Sequence, residues 1–206
     1  MALVGLFATL IMGLASGPVI ASVPATNPHA VAADENKKAE TADMAVLLKQ
    51  AQGGDAEAQL RLADDYFSGN GVAQDYAAAL GWYLKSAEAG NLEAQTQLGV
   101  IYSRGYGVEI DYAKAFSWTL KAADSGHKGA QYNLGIAYDN GIGVKADLEV
   151  AFKWYRRAAE QGLDLAQFNI GNMYEVGEGT VQNYNQALLW YQKAADQGYA
   201  PAQYNL

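Results

Sequence analysis

The sequence predicts an all-α solenoid built from consecutive pairs of helices. The prediction rests on a 36-residue internal repeat, on helical spacing of apolar residues within each unit, and on glycines between the helical segments. The repeat appears when the chain is shifted along itself without gaps: Ala58-Gln59 returns as Ala94-Gln95, Ala130-Gln131, Ala166-Gln167 and Ala202-Gln203. A period between about 20 and 50 residues is typical of solenoid proteins.

The first half of each unit has the pattern of an amphipathic helix, here called helix A. In the third unit, Ala130, Leu134 and Tyr138 are spaced by four residues and share one helical face. Gly141 and Gly143 follow, and glycine readily takes the left-handed conformation that closes a helix. Helix A is therefore predicted to end at this pair.

The second half of each unit is predicted to be a second helix, helix B. In the third unit, Asp147 precedes it and has a short side chain that can accept hydrogen bonds from the first backbone N–H groups. The same N-cap slot holds Asp75, Asp111 and Asn183. Helix B then carries an apolar stripe near the 3.6-residue period before Gly162 ends the unit: Ala151, Trp154, Tyr155, Ala158 and Ala159.

Small and aromatic residues recur at constant slots, which indicates packing between helices. Glycine in the middle of helix A lets a neighbouring helix approach closely. It occurs at Gly99, Gly135 and Gly171, with Ala63 in the first unit. The tryptophans are predicted to fill space between units rather than to stack on sugars: Trp82, Trp118, Trp154 and Trp190.

These slots together resemble the Sel1-like repeat, a relative of the tetratricopeptide repeat. Residues 130–162 match nearly every position of that pattern (AQYNLGIAYDNGIGVKADLEVAFKWYRRAAEQG). The departures from the pattern are minor: Ala63 for Gly, Ile170 for Leu, Thr180 for Val, Asn183 for Asp and Thr119 for Tyr. The resemblance implies a right-handed α/α solenoid of helix pairs.

The repeat predicts the domain organisation of residues 41–206. Residues 41–54 form an N-terminal capping helix, and the repeats cover 55–90, 91–126, 127–162 and 163–198. Residues 199–206 begin a fifth unit that stops before its tyrosine and its glycine pair. Because solenoids normally end in a polar capping unit, we expect the natural protein to continue past Leu206.

The N-terminus is predicted to be an export signal. The first charged side chain is Asp34, residues 3–15 are almost wholly apolar, and Val19-Ile20-Ala21 gives the small-x-small pattern read by signal peptidase. We place cleavage after Ala21, with Ala25 as the second choice, and expect a periplasmic or secreted bacterial protein. An uncleaved membrane anchor is the alternative. Residues 22–40 are rich in Pro, Ala and charge and are predicted to form a flexible linker.

Composition argues against several classes of function. The 14 basic and 22 acidic residues give a net charge of −8, which disfavours nucleic acid and anionic lipid as partners. The chain has no cysteine and only two histidines, so we expect no metal or other cofactor. His127 is interpreted as a variable turn residue. The Gly-x-Gly loops follow no strand and recur in every unit, so they are loop formers rather than a dinucleotide site.

Slots that vary between units are the candidates for partner binding. In tetratricopeptide relatives, helix A lines a concave groove, and the resemblance implies the same here. The slots that face the groove lie one, four and five residues after the mid-helix Gly or Ala. They hold Asp64, Phe67, Ser68, Val100, Ser103, Arg104, Ile136, Asp139, Asn140, Asn172, Glu175 and Val176.

We therefore expect a monomeric, non-catalytic adaptor that binds a peptide or protein in this groove, as the resemblance to Sel1-like proteins implies. Two alternatives remain open. One is a secreted hydrolase acting on cell-wall or β-lactam substrates, which some cysteine-rich relatives suggest. The other is a repeat module of a longer protein whose catalytic domain lies elsewhere.

Overall fold

The computed structural model describes residues 43–206, within which only helices, turns and loops occur. The described part of α1 covers residues 43–52. The helices that follow are α2 (Ala56–Ser68), α3 (Tyr76–Glu88), α4 (Leu92–Arg104), α5 (Tyr112–Asp124), α6 (Lys128–Asn140), α7 (Leu148–Glu160), α8 (Asp164–Val176), α9 (Tyr184–Asp196) and α10 (Ala200–Tyr204). The predicted signal peptide (1–21) and linker (22–40) lie outside the described residues.

Each helix packs chiefly against the helices that precede and follow it in sequence. The closest association is within four pairs, here called unit 1 (α2–α3), unit 2 (α4–α5), unit 3 (α6–α7) and unit 4 (α8–α9). In each unit the first helix is helix A and the second is helix B. Packing restricted to sequence neighbours is the property that defines a solenoid. The predicted fold class, an all-α solenoid of helix pairs, is confirmed.

The helix ends follow the predicted capping pattern. Asp75, Asp111, Asp147 and Asn183 are the N-caps of the four B helices, and each side chain accepts from backbone N–H groups of the first turn. Every helix A ends at a glycine in the left-handed conformation, as at Gly141, whose N–H donates to Ala137 O. The caps make the helix boundaries a local property of the sequence.

The glutamine of each Ala-Gln pair links neighbouring units. In unit 3, Gln131 Nε2 donates to the carbonyl oxygen of Ala123 near the end of the preceding helix B, at 3.2 Å. Equivalent bonds join Gln59 to Ala51, Gln95 to Ala87, Gln167 to Ala159 and Gln203 to Ala195. Carbonyls in the last turn of a helix have no partner within the helix, so this glutamine satisfies one of them at each junction.

The small residue in helix A lets the tyrosine of helix B lie flat against it. A Cβ placed on Gly135 would stand 2.3 Å from Cδ1 of Tyr155, and one on Gly171 would stand 2.5 Å from Cε1 of Tyr191. No real Cβ approaches that closely, so the predicted role of these glycines in close helix packing is confirmed.

The tryptophans pack against the core with one face and against a cation with the other. Trp82, Trp118 and Trp154 are half-buried and Trp190 is buried. In each unit a basic residue three positions later lies over the indole ring: Lys85, Lys121, Arg157 and Lys193. This arrangement agrees with the predicted structural role of the tryptophans, although the first three are less enclosed than a core residue.

Between residues 43 and 206, no helix is both long enough and apolar enough to cross a membrane.

Candidate functional site

In units 1, 3 and 4, a side chain at a predicted groove slot of helix A contacts the tyrosine of helix B. The tyrosine hydroxyl donates to a carboxylate of the A helix in each of these units. The bonds join Tyr83 to Asp64 at 2.6 Å, Tyr155 to Asp139 at 3.2 Å and Tyr191 to Glu175 at 2.5 Å. From the sequence, these carboxylates were predicted only as candidates for partner binding. The structure shows that they also hold the helix pair together.

The same contacts shift the ionisation of both partners. Burial raises the pKa of the Tyr83, Tyr155 and Tyr191 hydroxyls well above the usual range, and the neighbouring carboxylates raise it further. Burial also raises the pKa of the Asp64 carboxyl, against the opposing effect of the Tyr83 hydrogen bond. The phenols therefore stay protonated and keep donating across the physiological range.

Asn172 shares its tyrosine with Glu175. Its side-chain oxygen lies 2.6 Å from the hydroxyl oxygen of Tyr191. Because a hydroxyl has a single proton and Glu175 accepts it, the amide of Asn172 is best oriented with its NH₂ group toward the phenol. Both predicted groove residues of unit 4 are thus engaged by the same side chain.

The slots five residues after the mid-helix Gly or Ala lie at the exposed ends of the A helices. Ser68 and Asn140 each donate to a carbonyl of their own helix, at 2.7 and 3.1 Å. The Val176 side chain is 61% exposed. These three residues stand apart from the tyrosine contacts, whereas the fourth, Arg104, lines a cavity.

In unit 1, Phe67 occupies the slot that holds Asp139 in unit 3 and Glu175 in unit 4. Its ring packs against other aromatic rings. Its ring centroid lies 5.1 Å from that of Tyr76, 6.3 Å from that of Tyr83 and 5.3 Å from that of Tyr106. The result is a cluster of four aromatic rings between units 1 and 2.

The predicted groove residues Val100, Ser103, Arg104 and Ile136 come together around one cavity between units 2 and 3. Its volume is about 300 Å³, and it opens to solvent. Much of the remaining wall is formed by residues that sequence reasoning did not select: Tyr112, Phe116, Thr119, Asn133 and Ile142. Tyr112 and Ile142 are exposed at its edge, at 48% and 37%.

Thr119 explains why the cavity lies in unit 2. It occupies the slot that holds Tyr83, Tyr155 and Tyr191 in the other units, and its hydroxyl donates to its own helix at Ala115 O, 2.8 Å away. The threonine side chain covers Gly99, since a Cβ added there would stand 2.1 Å from Thr119 Oγ1, but it leaves open the space beyond it that a phenol ring would fill. The signal was visible in the sequence as the departure from tyrosine, but that departure was interpreted as minor.

The family model of the Sel1 repeat matches residues 56–91, 92–127, 129–163 and 164–199. The chain belongs to the Sel1 repeat family. Each unit described above is thus one Sel1 repeat, and the predicted resemblance is confirmed.

Solved Sel1 repeat structures share this fold. The chain is similar to c5321, a protective antigen present in uropathogenic Escherichia coli strains, with 44% identity and a TM-score of 0.74 over 76% of this chain and 33% of that one. A Sel1 repeat protein from Oxalobacter formigenes is 38% identical, with a TM-score of 0.70 over 76% of this chain and 45% of that one. The chain thus spans less than half the length of either relative.

A third similar structure is cysteine-rich protein B of Helicobacter pylori. It is 25% identical, with a TM-score of 0.53 over 65% of this chain and 96% of that one. No curated protein sequence matches the chain. Sel1 repeat proteins are generally scaffolds for protein–protein interaction and are typically non-catalytic.

His127 has a more specific position in the third Sel1 repeat than its interpretation as a variable turn residue implied. It is the N-cap of α6, and its Nδ1 accepts from the N–H of Ala130 at 3.3 Å. The ring also reaches back to α4, where Nδ1 lies 2.8 Å from Thr96 Oγ1 and Nε2 lies 3.1 Å from Glu93 Oε2. His127 therefore joins two Sel1 repeats as well as capping a helix.

Among residues 43–206, His, Asp and Glu side chains form no group of three that could hold a metal ion.

Proposed function

We propose that this chain is a non-catalytic scaffold that binds a peptide or protein partner along the face formed by the A helices of its Sel1 repeats. The observation that carries the proposal is the cavity at Thr119, an open site on that face lined by four of the variable groove residues. A pre-organised helical surface loses little conformational entropy on binding, which favours this mode of recognition.

The contrast between slots supports the same proposal. The slots that pack one unit on the next are constant, as with the glutamines that bond across each junction. The slots on the A-helix face hold a different set of side chains in each repeat. A fixed scaffold with a variable surface is the arrangement that repeat proteins use for binding.

A matched pair of charge reversals tests the face. Arg104→Glu changes the charge at the cavity, whereas Lys153→Glu makes the same change on the exposed surface of α7, a B helix. Peptides selected from a random library on the wild-type chain should bind Arg104→Glu more weakly and Lys153→Glu as well as wild type. Equal binding by both variants would show that the partner uses another surface.

We further propose that the protein is exported, because its first 21 residues have the pattern of a cleaved signal. The test is expression of the whole chain in a Gram-negative host and intact mass measurement of the protein from the periplasmic fraction. The expected mass corresponds to a chain that starts at Ser22. A full-length mass confined to the cytosol would contradict export.

A further inference from the structure

The cavity at Thr119 has a filled counterpart one repeat earlier. In unit 1, the ring of Phe67 lies between the rings of Tyr76, Tyr83 and Tyr106. A shift of 36 residues converts these four positions to Ser103, Tyr112, Thr119 and Ile142. All four line the cavity. Two aromatic rings are thus replaced by small hydroxyl side chains, and the space that the rings fill in unit 1 is open in unit 2.

The cavity has the size and wall chemistry to accept one aromatic ring. An apolar cavity of about 150 Å³ admits benzene, and this one is about 300 Å³. Phe116, Leu134 and Ile136 provide apolar surface. Gly99 is covered only by the small Thr119 side chain, whereas the equivalent glycines in units 3 and 4 are covered by whole tyrosine rings.

The cavity also has polar side chains that could hydrogen-bond to the hydroxyl of a phenol. In unit 3, the Tyr155 hydroxyl donates to Asp139 of its own repeat at 3.2 Å, and Asn169 of the next repeat is near enough to lower the pKa of that hydroxyl, against the larger effect of burial. The equivalent positions around Thr119 are Ser103 and Asn133, and both line the cavity. A hydroxyl entering the cavity would find an acceptor and an amide at the positions equivalent to Asp139 and Asn169.

The positive charge of Arg104 at the cavity indicates that the bound ring has a carboxylate beside it. Arg104 lines the cavity and is exposed, and it takes part in none of the ion pairs formed within residues 43–206. No acidic residue lines the cavity, so Arg104 is its one charged lining residue although the whole chain has a net charge of −8. A carboxylate next to the ring would pair with this guanidinium.

We propose that this cavity receives the tyrosine side chain of a partner peptide, with a neighbouring carboxylate at Arg104. The inserted ring fills the space beyond Thr119 that unit 2 leaves open. This inference rests on the proposed function and names the residue that the partner contributes.

The test uses N-acetyltyrosine and N-acetyltyrosinamide as probes, with the full chain and NMR detection at the Thr119 and Ile142 methyl groups. Both probes should perturb these methyls saturably, and the carboxylate probe should bind several-fold more tightly. Thr119→Tyr restores the residue of the other repeats and should weaken both probes about tenfold or more by filling the site. Ser117→Tyr adds the same side chain at an exposed position of α5 and should change nothing.

Ser103→Phe fills the same cavity from α4 with the residue of unit 1, so it provides a second blocking variant if Thr119→Tyr does not fold. Arg104→Gln should remove the difference between the two probes. Unperturbed Thr119 and Ile142 methyls, or undiminished binding by a folded blocking variant, would overturn the inference. Library peptides that bind the wild type and Thr119→Tyr equally would overturn it while leaving the proposed function intact. Failure of all peptides to bind would count against the proposed function itself.

Discussion

Gln161 donates from Nε2 to the buried Oε1 of Gln131 at 2.8 Å, and Gln131 in turn donates to Ala123 of the preceding repeat. Hydrogen bonds thus connect α7, α6 and α5 in sequence. Gln197 and Gln167 repeat the first contact at 2.8 Å in unit 4. In units 1 and 2 the donor is missing, because the equivalents of Gln161 are Ala89 and Ser125, and Oε1 of Gln59 and of Gln95 is buried without a partner among the described residues.

Supplying this donor should stabilise the protein. Ser125→Gln places an amide where Gln161 stands in the next repeat, and a hydrogen bond to the buried Gln95 oxygen is expected to raise the free energy of unfolding by about 1 kcal/mol. Urea denaturation measures the change. Ser125→Ala, which cannot donate, is the control. If the two variants are equally stable, Gln95 Oε1 already has a partner such as ordered water.

The second glycine of each loop should be intolerant of substitution where it contacts the previous repeat. Gly143 has φ +71°, and a Cβ there would stand 2.6 Å from the carbonyl oxygen of Tyr112. Gly162 has φ +83° but no heavy atom within 4 Å of an added Cβ. Gly162→Ala should therefore show only the backbone cost of roughly 1–2 kcal/mol. Gly143→Ala should lower the free energy of unfolding by about 1–3 kcal/mol more than Gly162→Ala does, because the added Cβ overpacks the contact. Similar losses in the two variants would mean that the loop moves aside.

Stability should fall in alkaline solution because of the buried phenols. Burial raises the pKa of the Tyr83, Tyr155 and Tyr191 hydroxyls above the value of about 10 that they have in the unfolded chain. Unfolding therefore releases protons above about pH 10, and the free energy of unfolding should decrease as pH rises beyond that point. Urea denaturation from pH 8 to pH 11 measures the slope.

Tyr155→Phe should reduce the number of protons released on unfolding by about one, and the alkaline slope should become shallower in proportion. Absorbance of the folded protein near 295 nm provides an independent measurement, since the buried hydroxyls should ionise only as the chain unfolds. Ionisation of every tyrosine near pH 10 in the folded state would contradict the assigned burial.

Asp64→Asn should change the acid dependence of stability without breaking the contact to Tyr83. Burial raises the pKa of the Asp64 carboxyl, so the stability that Asp64 contributes is present at low pH and is lost as pH rises through that pKa. The side-chain oxygen of an asparagine can still accept from the Tyr83 hydroxyl. The variant should therefore gain stability relative to wild type between about pH 4 and pH 7.

Urea denaturation at both pH values measures that gain. A difference between Asp64→Asn and wild type that stays constant between the two pH values would show that the Asp64 pKa is close to its ordinary value.

The candidate site was only partly predictable. The A-helix slots around Val100, Ser103 and Arg104 followed from the resemblance, and these residues do line one cavity. Thr119 was visible as a departure from tyrosine, but its consequence required knowing that the tyrosine of helix B reaches the A-helix face. The partners of Asp139 and Glu175 were missed for the same reason. The groove as a binding surface remains a prediction.

The sequence by itself determined the period, the helix pairs, their N-caps and the glycines that end them, because capping and turn formation involve residues only a few positions apart. Tertiary structure decided which side chains meet between helices, such as Tyr83 with Asp64 or Gln161 with Gln131. It also decided that replacing one tyrosine with Thr119 opens a cavity rather than simply leaving a smaller core residue. Whether a missing ring leaves space depends on its neighbours in three dimensions, and here Ser103 and Ile142, which stand where Phe67 and Tyr106 do in unit 1, leave it open.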